Sequence, residues 1–167
     1  MKKILYLERE KAIAFTGHRI IPLARQEEVR KRLTTAVTLA CKSGMTRFYC
    51  GMALGFDMMA AEVVLSLKDK FPDIQLFAVV PFSGQSTRWV SSEQERYHRI
   101  LAKTDKVVTL SKDYFRGCLL RRNDYMLSHS CSVIAYYDGK PKGGTFSTVR
   151  KAERMKMNVV NICGKRG

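Results

Sequence analysis

Acidic residues are scarce in this chain. Fifteen Asp and Glu stand against 30 Lys and Arg in 167 residues, a formal charge of +15, so the field around the protein draws anions rather than cations. The basic residues do not gather in one tail. They recur over Arg25 to Arg32, Lys68 to Lys70, Arg96 to Lys106, Arg116 to Arg122, Lys140 to Lys156 and at Lys165 and Arg166, which makes either a solvated basic surface or a face for a polyanion. Long apolar runs are missing too. None approaches the roughly 20 residues that cross a bilayer, and the N-terminus lacks the charged, apolar and small-residue order of a secretory signal. A membrane partner is therefore excluded and the cytoplasm is the expected compartment. The five cysteines, Cys41, Cys50, Cys118, Cys131 and Cys163, form no CxxC pair. Their odd number argues against a secreted disulfide scaffold and for buried free thiols. Three histidines and these cysteines never meet at ligand spacing, so no metal site is expected. There is likewise no GxSxG, no Cys/His signature, no GxGxxG and no GK[ST] loop.

What is present suits one compact domain over residues 1–167, with 46% hydrophobic and 27% charged residues. The run from Lys11 to Thr16 reads as a buried strand closed at once by Gly17. Leu23, Val29, Leu33, Val37, Ala40 and Cys41 recur at helical spacing up to Gly44. A strand over 47–50 follows, then Met59, Ala60, Val63, Val64 and Leu67 mark a helix that stops before Pro72. Strands over 74–80, 106–110, 133–137 and 159–163 then alternate with helices over 91–103, 118–130 and 145–155. Such alternation gives βαβ units, hence an α/β, Rossmann-like fold with a mostly parallel sheet and helices on both faces.

In open parallel sheets ligands sit beyond the carboxyl ends of the strands. The informative residues follow the strands here: Gly17-His18-Arg19, Gly51-Met52-Ala53-Leu54-Gly55, Pro81-Phe82-Ser83-Gly84 and Gly143-Gly144-Thr145. Gly51 and Gly55 either let backbone N–H groups approach a phosphate at a helix N-terminus or simply make a tight turn. Gly143 and Gly144 offer a second bed of donors, with the Thr145 hydroxyl as cap or ligand. Arg19, and Arg121, Arg122 and Asn123 at the opening of a helix, are candidates to reach a phosphate. His18 is a candidate acid, base or phosphate donor, or a structural residue of its turn. Asp57 suits either a ribose hydroxyl or its own helix N-terminus. Trp89, Tyr97 and Tyr114 either stack on a base or belong to the core and its rim.

Five of these stretches, FTGHR at 15–19, GMALGFDMMAAE at 51–62, PFSGQSTRW at 81–89, RRNDYM at 121–126 and GGTFSTV at 143–149, together resemble the YpsA-like family of the SLOG superfamily. Its better-known members are the DNA-processing protein DprA and the lonely-guy cytokinin-activating enzymes. The resemblance runs nearly end to end and implies a Rossmann-like sheet with a nucleotide-type pocket built from the glycine turns. Lonely-guy enzymes cleave the N-glycosidic bond of nucleoside monophosphates with an Arg and a Glu. Arg122 and Asn123 fall on their Arg-Lys pair and residues 142–145 on their glycine turn, but Ser147 and Thr148 stand where the carboxylate would be. That reaction would need Asp57, Glu62 or Asp124 instead, with Arg122.

The leading expectation is binding or sensing of a nucleotide or nucleotide-derived ligand, of the adenine or nicotinamide dinucleotide or ADP-ribose kind. Gly17, His18, Arg19, Gly51, Met52, Ala53, Gly55, Asp57, Pro81, Arg122, Asn123, Gly143, Gly144 and Thr145 would form the site. The alternatives are single-stranded nucleic-acid binding in the manner of DprA, which the basic surface suits, and the glycosidic hydrolysis. A homodimer is the default assembly, as the commonest closed symmetry.

Overall fold

A computed structural model describes residues 2–164, apart from the side chains at 2 and 4–6; the basic pair Lys165 and Arg166 lies outside the described residues. The order of elements is α1 (Lys2–Arg9), β1 (Ala12–Gly17), a 3-10 turn (Leu23–Arg25), α2 (Gln26–Lys42), β2 (Arg47–Cys50), α3 (Phe56–Leu67), β3 (Gln75–Val80), α4 (Ser91–Leu101), β4 (Lys106–Thr109), α5 (Cys118–Ser128), β5 (Ser132–Tyr136), α6 (Gly143–Arg154) and β6 (Asn158–Asn161). The strands make one sheet in the order β4-β3-β2-β1-β5-β6. Every pairing is parallel, so the fold is a Rossmann-like α/β sheet.

Alternation along the strands builds two cores, because successive side chains point to opposite faces. Phe15, Phe48, Ala78 and Ile134 face one side, where Val29, Leu33 and Val37 of α2, Phe56, Met59 and Val63 of α3, and Tyr97 and Ile100 of α4 cover them. Their neighbours Ala14, Tyr49, Val79 and Ala135 face the other, under Met126 and Leu127 of α5 and Val149 and Ala152 of α6. The inner strands are buried at nearly every position, whereas β4 (KVVT) and β6 (NVVN) end in polar residues and form the edges.

Three differences from the sequence expectations have physical causes. The helix expected from Leu23 starts as a 3-10 turn after Pro22, with Leu23 85% exposed; the α-helix and its buried stripe begin only at Gln26. The segment before β1 carries no cap or strand signal yet forms α1, tied to the sheet by Arg9 Nε donating to the Ser130 carbonyl at 2.8 Å and by Glu8 with Arg47 at 3.4 Å. Of the cysteines, all free, Cys50, Cys118 and Cys163 are buried, but Cys41 and Cys131 are only half-buried. Among the described residues no helix is long and apolar enough to cross a membrane.

Candidate functional site

The chain runs outward from β1 to β4, then crosses back to place β5 on the other side of β1. The loops after β1 and β5 must therefore part in opposite directions, which opens a crevice at the carboxyl ends of the strands. A cavity of about 300 Å³ lies there, lined by residues 15–19, Ala53, Asp57, Leu119, Arg122, Asn123 and 142–145.

One wall is the start of α6. Its N-cap residue Lys142 makes no side-chain cap, its first turn holds no acid, and Gly143 sits at φ +92°. A side chain at Gly143 or Gly144 would meet nothing within 4 Å, so the turn has open space beside it, and the first N–H groups of a helix with the positive end of its dipole suit an anion. The opposite wall is the β1 loop. It is seated on α3, with Phe56 N–H donating to the His18 carbonyl at 3.2 Å and the Arg19 carbonyl pressed on Gly55. A Cβ at Gly55 would stand 2.2 Å from that oxygen, and its φ of +78° also favours glycine. His18 Nε2 accepts the Asp138 N–H at 3.0 Å and lies 3.2 Å from Asp138 Oδ1, which ties the β1 loop to the loop after β5.

The floor carries two buried charges, Asp57 and Arg122, each 5% exposed. Asp57 Oδ2 accepts the Ala53 N–H at 3.2 Å. Burial pushes its carboxyl up from 3.8 to about 6, against the opposing pull of Arg122, the Ala53 N–H and Arg19. Burial lowers the Arg122 guanidinium in turn, with Asp57 the largest influence holding it charged. Arg122 Nη1 donates to the Gly51 carbonyl at 2.6 Å and to Gln85 Oε1 at 3.4 Å, and Nε donates to Asn123 Oδ1 at 2.8 Å. Asn123 Nδ2 donates to Thr148 Oγ1 at 2.9 Å, whose hydroxyl donates to the Gly144 carbonyl at 2.9 Å. A continuous hydrogen-bonded chain thus runs from the β2–α3 turn to the start of α6. Buried polar networks of this kind fix geometry when every member is satisfied.

Of the sequence candidates, Gly17, His18, Arg19, Ala53, Asp57, Arg122, Asn123, Gly143, Gly144 and Thr145 come together around the cavity. Gly51, Met52, Gly55 and Pro81 are not among the residues that line it. Gly51 makes room for Arg122, whose Nη1 would be 2.6 Å from a Cβ there, and buried Met52 holds a left-handed φ of 59°, a conformation that costs a non-glycine residue free energy. Glu62 lies elsewhere, bonded to Arg96 and 3.5 Å from Arg30. Five residues beyond Asp57 on an α-helix is about 140° around the axis, so the two cannot share a face. Asp124 pairs with Lys151 at 2.5 Å on the surface. Two residues went unmarked in the sequence reading: Gln85, which braces Arg122 and the Gly51 and Met52 carbonyls, and Leu119, which lines the cavity. Thr148, marked only as the place of a missing carboxylate, is a buried link of the polar chain.

The family model described as the YspA SLOG family, YpsA, matches residues 13–162. The chain belongs to this family. All the residues of the cavity fall within the YpsA match. Among relatives, a UPF0398 protein of Halalkalibacterium halodurans is 30% identical over 117 residues, 69% of this chain and 62% of that protein. The SPbeta prophage-derived protein YoqJ of Bacillus subtilis is 29% identical over 136 residues, 74% of this chain and 79% of that protein. The YpsA-family fold is also similar to DNA processing protein A from Helicobacter pylori, with a TM-score of 0.65 and 21% identity over 93% of this chain and 66% of that one. The chain thus spans less than two thirds of the Halalkalibacterium and Helicobacter proteins.

Proposed function

We propose that this protein binds a nucleotide or nucleotide-derived ligand, with a phosphate at the start of α6 and the ribose beside Asp57. The observation that carries this reading is the uncapped turn Gly143-Gly144-Thr145, open to a cavity at the point where the strand order reverses. Backbone N–H groups and a helix dipole suit a phosphate there, and Arg19 and Lys142 add positive charge at the mouth. Asp57, when ionised, is an acceptor for a ribose hydroxyl. Membership of the SLOG family is consistent with such a ligand. The hydrolase reading is less well supported, since Thr148 Oγ1 is engaged in the polar chain and Asp57 is the one carboxylate among the lining residues.

The test is thermal unfolding with AMP, ADP-ribose or NAD present, comparing the wild type with Gly144→Asp. A ligand at 100 times its dissociation constant adds about 2.7 kcal/mol to stability. A shift in the wild type that disappears in the variant is the expected result; no shift with any nucleotide overturns the reading.

A second reading, single-stranded nucleic-acid binding, is favoured by the formal charge of +15 and by the likeness to DNA processing protein A, a protein described for its single-stranded DNA binding mode. Affinity for an oligonucleotide that falls steeply with salt, and survives Gly144→Asp, would select it.

A further inference from the structure

A second cavity of about 290 Å³ adjoins the first and shares Arg19, Ala53 and Leu119 with it. Its remaining walls are Leu54, Phe82, Gln85, Trp89 and Tyr114. The two chambers differ in chemistry. The first is polar and positively charged, with its one non-histidine aromatic, Phe15, sealed in the core. The second is walled by three aromatic rings. Tyr114 is 64% exposed and meets Phe82 edge-on at 5.4 Å, while the half-buried Trp89 meets Tyr97 edge-on at 5.2 Å. Core packing accounts for Tyr97, which is buried, and in part for Trp89, which packs against the main core, but not for Tyr114. An exposed aromatic ring such as Tyr114, with Phe82 and Trp89 beside it next to the proposed phosphate site, is a platform on which a base can stack.

We infer that the second chamber is the base subsite of the ligand, so that one nucleotide spans both chambers with Arg19 at the division between them. The inference rests on the proposed phosphate site. It also states how the base is read. Gln85 is the one amide side chain in the chamber, and both its ends are engaged: Nε2 donates to the Met52 and Gly51 carbonyls at 3.0 and 3.3 Å, and Oε1 accepts from Arg122 at 3.4 Å. Gln85 therefore has little left for a base edge, and the chamber holds bases by their faces. Stacking is tolerant of sequence because every base has a π-face. The site discriminates weakly between adenine and guanine and strongly between a nucleotide and a bare sugar phosphate.

Trp89 is the single tryptophan of the chain, so the chamber carries its own fluorophore. The experiment titrates the full chain with AMP, GMP and ribose 5-phosphate, following tryptophan emission and heat of binding, in the wild type and in Tyr114→Ala. Because Tyr114 lies on an exposed loop, its truncation leaves the fold intact. AMP and GMP are expected to quench Trp89 and to bind within about threefold of one another, while ribose 5-phosphate binds at least about tenfold more weakly without quenching. Tyr114→Ala is expected to lose about tenfold for AMP and nothing for ribose 5-phosphate. Equal affinity for AMP and ribose 5-phosphate, or a Tyr114→Ala loss shared by both, overturns the base subsite while leaving the phosphate site standing. Binding of neither probe removes the phosphate site and the base subsite together.

Discussion

Asp57→Asn isolates the most unusual electrostatic feature of the fold. The carboxyl is buried and pushed from 3.8 to about 6, so the native state binds its proton more tightly than the unfolded chain does. The linkage has a definite sign. The stability this group contributes is greatest when it is protonated in both states, below about pH 4. It is lost as pH rises through about 6, where the folded protein must ionise a buried acid. The size of the loss is about 3 kcal/mol, at 1.36 kcal/mol for each pKa unit. Asparagine copies the neutral form and keeps an oxygen to accept the Ala53 N–H. The variant should therefore be more stable than the wild type by up to about 3 kcal/mol at pH 7.5, or roughly 6–12 °C in Tm for a chain of this size. The gap should narrow to about 1 kcal/mol by pH 4.5 and close only below about pH 4. Urea midpoints of both proteins at pH 7.5, 6.0 and 4.5 measure the difference directly, and subtraction removes the contribution of other groups such as Glu62, which Arg96 and Arg30 hold low and which acts in the opposite direction. A difference that is absent at pH 7.5, or that does not change with pH, would refute the reasoning. Because Asp57 is also assigned to the ribose, nucleotide affinity should fall as stability rises, the trade expected where a destabilising charge is retained for function.

Gly144→Asp should hold or raise thermal stability by about 0.5 kcal/mol, since an acid in the first turn complements the α6 dipole, yet abolish nucleotide binding by placing a carboxylate where the phosphate sits; calorimetry and unfolding on one sample measure both. Gly51→Ala forces the Arg122 guanidinium off its seat 2.6 Å away and should cost about 1–3 kcal/mol, because a buried charged donor loses its partner carbonyl; an unchanged urea midpoint would show that the pocket floor yields freely. Gly17→Ala drives a methyl group to 2.4 Å from the Phe56 ring and should cost about 1–3 kcal/mol, part of which Phe56→Leu in the same chain should restore, whereas simple additivity of the two changes would contradict the contact.

Much of the architecture was legible because the strands announce themselves. Runs such as LFAVV in β3 and SVIAY in β5 are continuous apolar segments, the signature of strands buried on both faces, and the turn residues after them fixed where a crevice should lie. What the sequence could not reveal is direction and depth. Gly51 reads as a phosphate-approach glycine, but the space it leaves is taken by an arginine 71 positions further on, a tertiary fact without a local signal. Glu62 reads as a companion to Asp57 until the helical angle between them is counted. Gln85 carries no motif of its own, and only its bonds to the Gly51 and Met52 carbonyls and to Arg122 identify it. The first helix carries no sequence signal because KKILYLER has no capping residue or turn before it to mark its start, and Leu23 reads as helical although Pro22 imposes a 3-10 turn before the helix proper.

The strand order also sets a timetable for assembly. β1 is made first among the strands, but one of its two neighbours is β5, which leaves the ribosome only after β2, β3 and β4. Until then β1 is an open edge, and closing the long loop to β5 is the kind of distant pairing that slows folding. The cavity draws its walls from the β1 loop at one end of this history and from the start of α6 at the other, so no truncated or partly folded chain presents it. Whatever ligand the pocket receives stabilises only the finished sheet, and would act late in folding as a clasp across the last crossover.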